Sequence, residues 1–258
     1  MAARRLIPGV AVILFLLSGA VAAEDPRPRI AVIIDDLGYL KVAGERVIAL
    51  PGPVACAILP HTPYSRHLAL RANEAGKQVL LHLPLQPVQQ LMPLGMGSID
   101  IDNTHSQLAK ILSANLESVP YADGVNTHMG SLLTQHPGHM AWLMQELGRR
   151  GDLYFVDSYT TPSSVALRLA REHGVPATRR HVFLDSEVSR DAVAEQFARL
   201  KNRARLYGVA VAIGHPYEVT LDYLERALPQ LEREGFDLVP VNDLVEVGPV
   251  TTARQDPR

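Results

Sequence analysis

The chain has 258 residues, 47% hydrophobic and 20% charged, with a formal net charge of −2, which suits one globular domain of the larger kind with a sizeable core. Such a balance offers no basic surface to a phosphate backbone and excludes a nucleic-acid partner. The single cysteine, Cys56, excludes an internal disulfide, and within Val54-Ala55-Cys56-Ala57-Ile58 it reads as a small core residue.

Residues 1–23 read as a secretory signal peptide. Arg4-Arg5 precede an apolar stretch over residues 6–17, then small residues up to Ala23, then Glu24-Asp25-Pro26. The apolar stretch is shorter than the roughly 20 residues a membrane-spanning helix needs. Cleavage after Ala23 is expected, with no stable membrane span afterwards and a periplasmic or secreted location. Arg4 and Arg5 are the only charged side chains before residue 24, so cleavage takes two positive charges from −2 and leaves the mature chain at −4. The predicted organisation is a signal peptide at 1–23, a linker at 24–28, one domain at 29–247 and a polar tail at 248–258.

From residue 30 onward, short β-branched or aliphatic runs alternate with stretches of helical period. Strands are predicted over residues 30–34, 54–58 and 78–83, with helices at 42–50 and 64–75 between them. Residues 84–103 break both periods with glutamine, proline, glycine and serine, and read as a long loop, a lid or a wall of a substrate site. A helical stripe follows over 105–119. Further strands are predicted near Val125 and at 153–156, 182–184, 209–213 and 238–241. Helices are predicted at 137–150, 163–173, 190–206 and 220–234, several closed by a glycine.

Successive β and α units joined by short loops require parallel strands with right-handed crossovers. Seven or eight such units in one domain predict an α/β fold, a distorted (β/α) barrel, whose ligands collect at the carboxyl ends of the strands. Those ends carry the chemistry. Asp35 and Asp36 follow Ile30–Ile34, His82 follows Val79-Leu80-Leu81, His128 lies in Gly124–Ser131, Asp157-Ser158 follow Leu153–Val156, and His215 follows Val209–Ile213. Neighbouring residues on a regular strand point to opposite faces, so both carboxylates reach one site only if the backbone bends, as Gly38 permits.

Asp36, His82 and His128 form a mixed carboxylate and imidazole set able to hold a divalent ion, lower the pKa of its bound water and polarise a carbonyl. Asp35 is placed to take a proton and His215 to deliver one to a leaving group, which suits hydrolysis of an amide or ester. Asn126, Asp157, Ser158 and Tyr217 are expected to bind substrate. Each residue has a plainer alternative: His82 or His128 as a core histidine bonded to backbone, His215 as a turn residue, Asp157-Ser158 as the cap of the following helix. Serine-hydrolase, P-loop and dinucleotide motifs are missing from the sequence.

In Ile33–Gly38, Leu81-His82-Leu83-Pro84, Asn126–Ser131, Phe155–Ser158, His181–Asp185 and Ala212–Tyr217 the chain resembles the divergent polysaccharide deacetylases, relatives of the NodB-type carbohydrate esterases. The resemblance implies a single-domain barrel, a divalent metal such as zinc, and hydrolysis of a non-peptide C–N bond that frees acetyl groups from N-acetylated sugars of envelope polysaccharide or a peptidoglycan-like glycan. It gives Asp35 the role of base, Asp36 that of metal ligand, and His215 that of leaving-group acid. The family's two metal histidines lie four residues apart, and here Gln86 stands at that spacing from His82. Either His128 supplies the second imidazole or the metal site is altered. The second case would make the protein a glycan- or protein-binding module; an O-acetyl esterase is a further alternative with the same chemistry.

Overall fold

The computed structural model describes residues 26–90 and 93–248. The expected signal peptide, the start of the linker and the tail beyond Gly248 lie outside the described residues. β1 (Arg29–Leu37), α1 (Lys41–Ile48), β2 (Ala55–Ile58), α2 (Ser65–Glu74) and β3 (Val79–Leu85) open the domain. α3 (His105–Ser118), β4 (Ala122–Met129), α4 (Pro137–Arg150), β5 (Tyr154–Asp157), α5 (Ala166–Glu172), β6 (Ala177–Arg179) and β7 (Val182–Phe183) follow. α6 (Arg190–Tyr207), β8 (Val209–Gly214), α7 (Glu218–Ala227) and β9 (Asp237–Leu238) complete it.

Every strand pairing in the sheet is parallel, in the order β6-β5-β4-β3-β2-β1-β8-β7, with β9 beside the start of β1. The two ends of that order are neighbours in sequence. Arg180 N donates to Asp157 O on β5, and the next amide, His181 N, donates to Val211 O on β8. One short stretch thus ties both ends of the sheet and curls it into the expected distorted barrel.

The alternation of side chains on each strand divides the core in two. Ile30, Val32 and Ile34 face outward into a layer shared with Leu68, Leu108, Leu112, Met140 and Phe197 of the helices. Ala31 and Ile33 face inward, with Ala55, Ala57, Leu80, Tyr154, Val156, Val211 and Ile213, and Val241 and Leu244 close the interior from a 3-10 turn. Burial of each large aliphatic side chain contributes about 1.5–3 kcal/mol. Two buried faces explain why these strands read as nearly continuous apolar runs.

Several boundaries differ from expectation. β3 runs on through Pro84 to Leu85, because β2 has already ended and the Pro84 carbonyl accepts from Ile99 N. The short strand β6, where Arg179 interrupts the apolar pattern, was not legible as a strand. The predicted helix 220–234 stops at Ala227 and tightens to a 3-10 turn at Leu228–Gln230, since Pro229 cannot donate within a helix. The predicted strand 238–241 keeps only its first residue in β9, because Pro240 precedes a 3-10 turn.

Candidate active site

The inward register of β1 carries Ala31 and Ile33 to Asp35, which is 3% exposed at the carboxyl end of the barrel. Strict alternation would then send Asp36 outward into the helical layer. Instead the pairing with β2 slips, Ile34 opposing Cys56 but Leu37 opposing Ile58, so β1 carries one extra residue there. Asp36 takes the left-handed conformation, φ 59°, and this bulge brings both carboxylates to one site. The bend therefore sits at Asp36 itself, ahead of the Gly38 to which the sequence pointed. Inward register also places His82 on β3, Asn126 and His128 on β4, and His215 just past β8.

Asp36 Oδ1 lies 2.9 Å from His128 Nδ1 and 3.1 Å from His82 Nε2, and the two ring nitrogens are 3.2 Å apart. One ligand atom from each residue falls within 4.8 Å of the others. Asp36 Oδ1 is buried between the two rings, with no hydrogen-bond partner of regular geometry. A buried oxygen facing two imidazole nitrogens in this way is suited to a divalent cation.

The set is braced from behind. His82 Nδ1 meets Asn126 Oδ1 at 2.9 Å, and Asn126 Nδ2 donates to Asp35 Oδ1 at 2.7 Å. This amide turns His82 Nε2 toward the cluster and ties it to Asp35. Across the cavity, Asp185 accepts from His215 N at 2.6 Å and pairs with His215 Nδ1 at 2.9 Å, while Thr220 Oγ1 donates to the same carboxylate at 2.8 Å. His215 Nε2 then stands 3.7 Å from Asp36 Oδ2.

These contacts set the protonation. Burial raises the Asp35 pKa, against the opposing pull of His82 and His215. Burial would raise Asp36 too, but the His128 and His82 rings outweigh it and hold that carboxyl far below its usual range. Burial opposes charge on His82, yet Asp35 and Asp36 push its pKa up to about 9. His215 is likewise raised, its burial overcome by Asp185 and the two aspartates.

A cavity of about 500 Å³ is lined by Asp35, Asp36, His82, His128 and His215, together with Ser158, Met129, Thr160, Arg180, Phe183 and others. Three residues expected to bind substrate are not among its lining. Asn126 is wholly buried behind His82, with both ends of its amide engaged. Asp157 shares the outward register of Phe155 and accepts from Tyr159 N and Ser164 Oγ in the turn before α5, whose N-cap, Val165, makes no side-chain capping hydrogen bond, so the capping alternative does not hold either. Tyr217 is exposed at the rim, its ring centroid 5.6 Å from that of His215. No described residue of the loop after β3 lines the cavity. Gln86 turns away from the cluster and accepts from Ile101 N at 2.8 Å, so His128 rather than Gln86 joins His82. Asp185 and Arg180 were not anticipated as site residues; Asp185 follows the run Val182–Leu184, the same strand-end signal that marks the other members.

The model of the divergent polysaccharide deacetylase family matches residues 32–245. The chain is 34% identical over 250 residues to the uncharacterized protein YibQ of Escherichia coli (strain K12), covering 97% of this chain and 76% of that protein. The crystal structure of the uncharacterized protein ATU2773 from Agrobacterium tumefaciens C58 superimposes with a TM-score of 0.81 at 20% identity, covering 86% of this chain and 91% of that one. Peptidoglycan deacetylase PdaC from Bacillus subtilis shares the fold at a TM-score of 0.52 and 11% identity, covering 86% and 92% of the two chains. So does a mutant of BA3943, described as a CE4 family pseudoenzyme with restored enzymatic activity, at a TM-score of 0.53 and 11% identity, covering 87% and 70%.

Proposed function

Since the chain belongs to the divergent polysaccharide deacetylase family, we propose that it is a metal-dependent hydrolase removing acetyl groups from N-acetylated sugars of envelope polysaccharide. The observation that carries this reading is the convergence of Asp36 Oδ1, His82 and His128 beside a buried Asp35. A divalent cation such as zinc, held by those three residues, supplies a Lewis acid for the acyl carbonyl and a water more acidic than bulk water.

The remaining work falls to side chains. Asp35, its basicity raised by burial, takes the proton from the attacking water. Asn126 keeps Asp35 and His82 in fixed relation. His215, charged and oriented by Asp185, gives a proton to the sugar nitrogen as the C–N bond breaks. The water oxygen ends in acetate and the sugar is left with a free amine. The signal peptide expected at residues 1–23 supports a periplasmic location for the mature protein, where envelope glycan lies.

A second reading has its own support: Gln86 stands where the family has a second metal histidine, and this fold is also found in a protein described as a pseudoenzyme. One experiment separates the two. The purified mature chain is assayed for bound metal and for acetate released from N-acetylglucosamine oligomers. The hydrolase reading expects about one divalent ion per chain and release of acetate, lost in Asp35→Asn with the metal retained. Metal-loaded protein that binds the oligomer but releases nothing would make it a glycan-binding module. Release from O-acetylated sugar alone would make it an esterase.

A further inference from the structure

Arg180 occupies the gap between β6 and β7 and lines the same cavity as the carboxylate and imidazole cluster. Its position is fixed by the backbone around it. Nε donates to Ser158 O at 2.6 Å and Nη2 to Tyr159 O at 2.7 Å, while the guanidinium lies over the Phe183 ring, 4.9 Å from its centroid. Both acceptors are neutral carbonyls. Among the described residues no carboxylate comes within ion-pair distance, and Nη1 has no acceptor. Asp35 and Asp157 act on Arg180 through space alone. Asp157 is engaged by Tyr159 N and Ser164 Oγ.

A half-buried cation locked in place without a counter-ion is costly, because its lost hydration is not replaced by an opposite charge. Burial depresses the pKa even of this guanidinium. Two further arginines stand near: burial first, and then the charges of Arg203, Arg179 and Arg180, push His181 down to about 4. A guanidinium with free N–H groups on one edge is matched by a carboxylate oxygen, in a charge-assisted hydrogen bond of fixed direction.

We propose that Arg180 is an anion subsite of this cavity, and that the preferred substrate is an N-acetylated sugar bearing a carboxylate, which pairs with the Nη1 edge while the acetamido group faces Asp36 and the histidines. The inference rests on the hydrolase reading for the position of the acetamido group, but the anion subsite is tested separately. The probes are a β-1,4-linked tetramer of N-acetylglucosamine, the same backbone with 3-O-lactyl groups on alternate rings, and the methyl ester of that acidic tetramer. Binding is measured by calorimetry on the full chain carrying Asp35→Asn, so that the sugars persist.

The acidic tetramer is expected to bind about tenfold tighter than either neutral probe, as one hydrogen bond to a charged group implies, with the margin narrowing at high salt. Arg180→Gln should abolish the margin and Arg180→Lys should keep part of it, both at unchanged metal content. The ester control needs no change at Arg180, so it decides the matter even if those variants fold poorly. Equal binding of acid and ester, or a margin that survives in Arg180→Gln, would overturn the proposal. Acetate released by the wild-type chain from acidic and neutral tetramers at equal kcat/KM would overturn it while leaving the hydrolase intact. A binding margin without acetate release would sink the hydrolase and keep the anion subsite.

Discussion

The three proposed ligands do not depend equally on their surroundings. Asp36 Oδ1 is the point at which both imidazoles meet, 2.9 Å from one and 3.1 Å from the other, so Asp36→Ala removes the atom that the other two share. Asp36→Ala and His128→Ala are each expected to abolish tight metal binding, read by competition against a chromogenic chelator. Full occupancy in both variants would refute the ligand assignment. Asn126 touches no ligand position directly, yet its amide orients His82 and holds Asp35. Loss of such an outer partner typically weakens metal affinity about 10- to 100-fold, and that is the range expected for Asn126→Leu. Asn126→Asp still accepts from His82 Nδ1 but sets a carboxylate against Asp35, so it should retain much of the metal affinity and lose turnover. Equal metal affinity in the wild type and Asn126→Leu would show that His82 needs no such brace.

At the scale of elements, the site depends on a departure from regular structure. Had β1 stayed regular, Asp36 would point among the outward-facing Ile34 and the helices. The slip against β2 and the φ of 59° turn it inward. The turn that follows is held by Gly38, φ 130°, where an added Cβ would fall 2.1 Å from Thr62 Oγ1. Gly38→Ala should therefore destabilise the fold by about 1–3 kcal/mol, visible as a lower denaturant midpoint, and weaken metal binding by shifting Asp36. An unchanged midpoint would mean that the turn relaxes freely. Much of this architecture was legible because strands buried on both faces are apolar throughout, so a polar residue at the end of each one stands out. The direction of each side chain was less so. Asp157 ends its strand as His82 does, but Phe155 two residues earlier faces the helices, and alternation sends Asp157 there as well. Counting alternation back from each strand end would have separated the two. The bulge at Asp36 and the division of one closing stretch into β6 and β7 arise from pairing between distant segments, which no local pattern records.

Across the whole molecule, fold stability and metal binding make opposite demands on one ring. In the metal-free protein His82 is pushed up to about 9 by Asp35 and Asp36, from an ordinary value of 6.5. A raised folded-state pKa contributes stability that is fully present below the unfolded value of 6.5 and is lost as pH rises through about 9. His215 is raised as well and acts in the same direction. Asp36, held low, contributes stability above the ordinary carboxylate range and is already ionised throughout that window. The metal-free protein is therefore expected to lose on the order of a few kcal/mol between pH 6.5 and 9, measured as a falling denaturant midpoint. A bound cation requires His82 to be neutral, so ligation releases about one proton per chain at neutral pH, and affinity should weaken as pH falls below 9. The metal-loaded protein should then show a flat or rising midpoint across the same window. Calorimetry in two buffers of different ionisation enthalpy reads the proton directly. Parallel stability profiles with and without metal, and no proton released, would mean that His82 does not ligate the ion.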